Sequence, residues 1–234
     1  PFPDAVRIQE STGVPGGAGA GKVYAGPGVG LQSYRGNSQQ PNIHERASVS
    51  YVVGSHAFKA GQMWMEGFYD YFQENNQALE YSFTRGLPAS LTQFASPYQW
   101  KQRVRNIGIY AQDQWTIKRM TMNVGVRYDH YHGWVPAGTR PGGQFVPAFS
   151  FDRVDNVPSF KDVSPRLGGA YDLFGNGRTA IKGAIGKYMG GLGTQLANNN
   201  NPALSLVLSS ERTWNDANSN FVPDCDLTSF AANG

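Results

Sequence analysis

From Met120 to Asp129 the chain reads Met, Thr, Met, Asn, Val, Gly, Val, Arg, Tyr, Asp, apolar at every second position and polar or glycine between. Successive side chains of a β-strand point to opposite faces, so this period makes one face of a ribbon greasy and sets Arg127 and Asp129 on the other. Such a ribbon has two destinations. In a soluble sandwich the greasy face packs a core and the polar face meets water. In a membrane barrel the greasy face meets lipid and the polar face looks into a lumen.

Other segments repeat the period. Val49, Tyr51 and Val53 alternate with Ser48 and Ser50, and Ile107, Ile109 and Ala111 alternate with Asn106, Gly108, Tyr110, Gln112 and Gln114. Leu167, Gly169, Tyr171 and Leu173 share one side of the next run. Between residues 57 and 69, Phe58, Ala60 and Trp64 mark the apolar side and Glu66 interrupts it. Residues 71–100 suggest a short hairpin around Gly86-Leu87-Pro88. With 29 glycines, 13% aromatic residues and only 16% charged residues, the composition suits an all-β chain rich in tight turns. Soluble domains carry roughly 25% charged residues.

Three features favour the barrel. The greasy run Met120 to Tyr128 covers nine residues, and a tilted strand needs about 9–11 to cross a bilayer. Aromatic residues, Trp115 and Tyr128, bound it, as rings do at membrane interfaces. Tight turns at Gly54–His56, Ile117–Arg119 and Phe174–Gly177 alternate with long connections after Tyr131 and after Gly191. The opposite face carries Asn123, Arg127, Asp129, Arg166, Asp172 and Lys182. Burying those charges unpaired in a sandwich core would cost several kcal/mol each, which a wet or plugged lumen avoids. The expected fold is therefore an all-β, antiparallel transmembrane β-barrel, present in part, with about eight to ten strands of a larger barrel. Its expected divisions are a loop-rich segment at 1–43, barrel-wall hairpins at 44–191 and an extracellular loop at 192–234. An internal echo, Gly-x-x-Tyr-Asp at Gly125–Asp129 and Gly168–Asp172, puts both tyrosines on the greasy face.

The run Ile107–Tyr131 resembles a hairpin of TonB-dependent outer-membrane receptors, through Tyr110, Gln112 and Asp113 on one strand and Gly125, Arg127, Tyr128 and Asp129 on the next. Ser164–Tyr188 is similar to the family's following hairpin, through Ser164, Pro165, Arg166 and Leu167, then Lys182, Gly186 and Tyr188. Gly54–Gly61 resembles an earlier periplasmic hairpin. The resemblance covers residues 47–191 and is nearest to the subfamily with a carboxypeptidase-regulatory-like domain ahead of the plug. It implies a barrel of about 22 strands closed by a plug, in the outer membrane of a Gram-negative bacterium. It further implies uptake of a large scarce nutrient, driven by the TonB complex. The implied partners are outer-membrane lipid, plug, TonB complex and nutrient ligand. Neither the plug nor the TonB-contacting box is visible in this sequence.

The remaining signals are narrower. The net charge of +3 and the lack of a Lys/Arg run argue against a nucleic-acid partner. Asp216, Asn218, Asn220, Asp224 and Asp226 recur at spacings that can wrap a calcium ion. The same residues are turn formers in a solvated loop, and that is the preferred reading of the two. His130 and His132 share a strand face without enough neighbouring ligands for zinc. Gly16–Lys22 lacks the ending of a phosphate loop. No nucleophile–base arrangement points to an enzyme. Arg127 would pair with carboxylates on neighbouring strands or meet an anion. Trp134, Phe145, Phe149, Phe151 and Trp214 in the long loops either stack on sugars or bulky ligands, or pack the loops themselves. Cys225, the sole cysteine, has no partner in the chain. A soluble or surface-attached β-protein that binds carbohydrate or calcium is the alternative.

Overall fold

The computed structural model describes residues 6–12, 23–25, 34–229 and 231. Its strands are β1 (Arg7–Thr12), β2 (Val23–Ala25), β3 (Tyr34–Gln39), β4 (Asn42–Val53), β5 (His56–Asn75), β6 (Leu79–Thr84) and β7 (Leu87–Phe94). There follow β8 (Tyr98–Ile117), β9 (Met120–Trp134), β10 (Gly138–Arg140), β11 (Phe149–Phe151), β12 (Ser159–Asp172), β13 (Ala180–Gly186), the helix α1 (Gln195–Asn199) and β14 (Ser209–Thr213).

Alternation decides the wall. Antiparallel neighbours run in the order β13-β12-β9-β8-β5-β3, and β4 also pairs with β5. β3 and β4 lie end to end along β5, so seven segments fill six positions. Pro41 separates the two, because it has no N–H for the ladder, while its carbonyl accepts from the Phe68 amide at 3.0 Å. The remaining strands form a second sheet in the order β14-β7-β6-β1-β2, which takes in the hairpin expected around Gly86-Leu87-Pro88, and a β10-β11 ribbon, and five of them lie in segments expected to be loops. Residues paired across a ladder share a face. Val124 lies opposite Leu167 and Asp113, Val126 opposite Pro165 and Ala111, and Tyr128 opposite Val163 and Ile109. The other face aligns Asn123 with Gly168, Arg127 with Ser164 and Tyr110, and Asp129 with Asp162 and Gly108.

The tight turns share one rim. The β4–β5 hairpin reverses at Gly54, whose φ of +58° suits glycine, and the β8–β9 hairpin at Lys118, φ +49°. The Thr116 amide donates to the Ser55 carbonyl and the Asp172 amide to the Arg119 carbonyl, each at 2.9 Å, which joins the three turns. The long connections, 76–97, 135–158 and everything after β13, leave from the opposite rim.

Beyond that rim the second sheet forms a cap. Leu79, Phe83, Leu91 and Trp214 are its buried core, with Ile8, Tyr81, Phe145 and Leu227 packed around them. Glu10 is buried and accepts from the Arg85 and Gly86 amides at 2.8 and 2.9 Å, tying β1 to the turn of the β6–β7 hairpin. Within the segment read as loop-rich, residues 1–43, the described parts thus supply β1 and β2 to the cap, and β3 and the start of β4 to the wall. Gly16–Lys22 lies outside the described residues.

Candidate functional site

The two faces of the wall have opposite chemistry. On the greasy face, Ile109, Val124, Val126, Val163 and Leu167 remain 46–54% exposed. No second sheet or helix among the described residues covers Val124 and Val126. In a soluble sandwich this face would be the core, so the structure disfavours the soluble alternative. A contiguous apolar surface of this kind marks contact with another apolar phase. Among the described residues no helix is long and apolar enough to cross a membrane; the crossing elements here are strands.

Aromatic and charged clusters bound the apolar band on the same face. Near the turn rim His56 stacks between Phe58 and Trp115, with centroids 5.3 and 5.2 Å away, and its Nδ1 lies 2.7 Å from Asp113 Oδ2. Near the other rim the Arg105 guanidinium lies 4.9 Å from the Trp64 ring and 5.4 Å from the Trp134 ring, and pairs with Glu66 at 2.9 Å. Glu66, which broke the sequence pattern, is therefore a charge at the boundary with its partner beside it. Ten residues separate Trp115 from Arg105 along β8. That is roughly 33 Å of strand, or about 25 Å of height at a tilt near 40°, the thickness of the apolar band of an outer-membrane barrel.

The opposite face is polar. Arg127 donates through Nε and Nη2 to the two oxygens of Asp129, at 2.7 and 2.8 Å. The expectation of a partner on a neighbouring strand is corrected here. Residues two apart on one strand share a face, and Asp129 is the nearer carboxylate. The pair lies over Gly108, where an added Cβ would stand 2.0 Å from Arg127 Nη2, so glycine leaves the guanidinium its place. Lys187 pairs with Asp162, Asp172 accepts from the turn amides of Gly175 and Gly177 at 3.0 and 2.8 Å, and Arg166 lies 4.5 Å from the Tyr188 ring. A groove of about 480 Å³ runs along the face past Lys59, Tyr110, Gln112, Asn123, Arg127 and Arg166.

Toward the long-loop rim this face is covered by the chain itself. Gln102 donates to Asn198 of α1, Asn201 Nδ2 donates to the Lys101 carbonyl at 3.1 Å, and the Tyr131 hydroxyl donates to the Gly193 carbonyl at 2.9 Å. Gln102, Tyr131, Ala197 and Asn201 are all buried as a result. Part of segment 192–234 thus folds over the inner face of the wall. Sequence reading missed these contacts; the parity of Tyr131 with Asp129 was the available signal that it faces inward.

The other candidate residues fall in the loops. Asp216 accepts from the Asn220 and Phe221 amides at 3.0 Å, Asp224 from the Ala217 amide at 2.9 Å and from Asn218 Nδ2 at 2.7 Å, and Asn220 Oδ1 from the Val222 amide at 2.8 Å. Asp226 stands apart from these and accepts from Thr228, which holds its carboxyl below the ordinary range. These oxygens therefore serve local turns. Among the described residues no three His, Cys, Asp or Glu side chains are placed to hold a metal ion. His130 and His132 stack 6.2 Å apart on the outward face. Of the loop aromatics, Trp214 and Phe145 pack the cap, Trp134 is buried beside Arg105, and Phe149 and Phe151 pack on each other at 5.8 Å. Burial raises the Tyr81 hydroxyl pKa, helped by nearby Cys225, which is a free thiol.

An exposed apolar band of bilayer height and a charged inner face are the two surfaces of a membrane barrel wall. Residues 4–233 match the family model described as an outer membrane beta barrel domain. The chain belongs to the outer membrane β-barrel domain family. The barrel's outward face is thus the surface that meets the hydrocarbon of the bacterial outer membrane. The chain is also similar to the TonB-dependent transporter Oar of Myxococcus xanthus, 25% identical over an alignment 233 residues long that covers 88% of this chain and 20% of that protein. The chain spans about one-fifth of the length of this relative. No solved structure matches it.

Proposed function

We propose that this outer-membrane barrel segment is part of the wall of a TonB-dependent transporter that imports a large, scarce nutrient into a Gram-negative bacterium. In this reading the rest of the protein supplies the remaining strands, a plug in the lumen and a carboxypeptidase-regulatory-like domain ahead of it, and the TonB complex drives release. The cap and long loops face outward, where they capture the solute. The observation that carries the reading is the pairing of an uncovered apolar face with a polar inner face that is too charged for a protein core. The likeness to a named TonB-dependent transporter supports the energy source.

The test uses the full-length protein in its host. It should fractionate with the detergent-extracted outer membrane and migrate heat-modifiably on gels, as closed barrels do. Accumulation of its solute should fall to the same background on deletion of this protein or of the TonB partner. Recovery in the soluble fraction would refute the barrel reading. Uptake that is unchanged without TonB would refute the energised transport and leave a passive channel.

A further inference from the structure

β14 closes one end of the cap sheet, and its one strand partner among the described residues is the antiparallel β7. The Ala95 amide donates to the Leu208 carbonyl at 2.9 Å, and the Trp214 amide to the Ala89 carbonyl at 3.1 Å. In an antiparallel ladder a residue points its N–H and C=O to the same side, and successive residues point opposite ways. Ser210 and Arg212 therefore bond to β7, while Ser209, Glu211 and Thr213 present their amides and carbonyls to the open edge. All three of those residues are exposed. β14 carries no proline and its ladder with β7 no bulge, two of the devices that blunt such edges.

The side chains alternate with the same period. Ser210 stands opposite Gln93, and Arg212 opposite the fully buried Leu91, so these two face the inner side of the cap. Ser209, Glu211 and Thr213 face the other side. Ser210 and Arg212 also line a cavity of about 380 Å³, with apolar walls from Phe145, Pro147, Val207 and Leu227. Val207, just ahead of β14, is 77% exposed. Main-chain donors and acceptors thus recur at the two-residue strand repeat, roughly 6.8 Å, with an apolar recess beside the intervening positions. An extended peptide matches that repeat through its own main chain and fills such a recess with alternate side chains. A sugar has no such repeat, and a small anion would meet the donors alone. We propose that the open edge of β14 binds an extended peptide as an added antiparallel strand, with apolar side chains in the cavity and a basic side chain opposite Glu211. The inference rests on the transporter reading, in which the cap faces the exterior, and it makes a peptide the class of solute.

The experiment uses the full-length protein in lipid nanodiscs and the probe peptide acetyl-Thr-Phe-Lys-Phe-Thr, labelled with a fluorophore at its C-terminus. With the lysine opposite Glu211, its amide and carbonyl bond to the edge and both phenylalanines point into the cavity. Fluorescence anisotropy should show saturable binding. N-methylation of the lysine removes a donor that faces β14 and should weaken binding about tenfold. N-methylation of either phenylalanine, whose amide faces water, should leave it nearly unchanged. The methylated peptides share one composition, so partition into lipid affects them equally. In the protein, Glu211→Pro removes an edge-facing amide and keeps the β7 ladder, with a loss of about tenfold expected. Val207→Ser should weaken binding about threefold. Heat-modifiable migration and protease resistance of the cap show that the variants are folded. Hydrogen exchange at the Ser209, Glu211 and Thr213 amides should be fast in the free protein and slowed by the probe. Slow exchange without the probe would mean that another part of the protein or a second copy already pairs with the edge, and overturns the proposal. So does equal binding of all the methylated peptides, or a folded Glu211→Pro protein that binds as the wild type does. A probe that binds but is never accumulated by the host overturns the peptide as solute. Accumulation that is equal without TonB would instead keep the strand addition and refute the energised transport.

Discussion

Replacing Val126 with arginine puts the lipid assignment at risk most directly. Val126 is 49% exposed and points outward beside Ala111 and Pro165. Its row lies four residues above that of Trp115 and Met122, and six below that of Arg105 and His132. With about 3.3 Å per residue and a tilt near 40°, it sits about 10 Å into a band about 25 Å tall, close to the midplane. An arginine there costs about 2–4 kcal/mol in a barrel wall, which lowers the ratio of folded to unfolded protein by roughly thirty- to several-hundred-fold. Asn123→Arg, on the same strand and also exposed but facing the lumen, is the matched control. It should stay within about 0.5 kcal/mol, as surface substitutions do. The assay is the urea dependence of heat-modifiable folding of the full-length protein in lipid vesicles. If Val126→Arg and Asn123→Arg shift the midpoint equally, hydrocarbon does not wet this face and the argument fails. A soluble protein with a half-exposed valine would give that equality.

Leu91→Ala in the fully buried centre of the cap should cost about 2–5 kcal/mol. Proteolysis should then cut the cap while the barrel keeps its heat-modifiable shift. Gly143→Ala should push the 135–158 loop away from the β7–β8 connection, because the added Cβ would meet the Ser96 carbonyl at 2.1 Å; faster hydrogen exchange in that loop is the readout. Arg153 donates twice to Asp155 and holds its carboxyl below the usual range. The contribution of that pair is present above the unfolded pKa of about 3.9 and disappears as pH falls through the lower folded value. The protection of amides around Asp155, corrected for the intrinsic pH dependence of exchange, should accordingly be flat down to about pH 4 and fall only below it. Expressed alone, the segment should aggregate, since β4 and β13 are edge strands with unpaired ladder groups. A soluble monomer with a cooperative melt would contradict this.

The faces of the wall were legible because strand parity is local. The chain from Met120 to Tyr128 assigns Val124 and Val126 to one side and Arg127 and Asp129 to the other, whatever neighbours arrive. Tight turns were legible for the same reason, since Gly54, Gly175 and Gly177 supply left-handed backbone at the positions that need it. The cap was not legible. Its parallel pairing of β1 with β6 joins residues more than seventy positions apart, and short strands carry too little pattern to announce a second sheet. Glu10 is buried under the turn of a distant hairpin, a contact that no pattern around it in the chain announces.

By itself the sequence determined that these strands have a greasy and a charged side, because side-chain direction depends only on the backbone's own two-residue repeat. Tertiary structure alone decided what each side meets. It left Val124 uncovered, folded residues 192–204 over Gln102 and Tyr131, and matched Asp129 to Arg127 while Lys59 and Arg166 stayed without an acid. Burial and charge balance are properties of surfaces brought together through space, and no stretch of chain carries them before it folds.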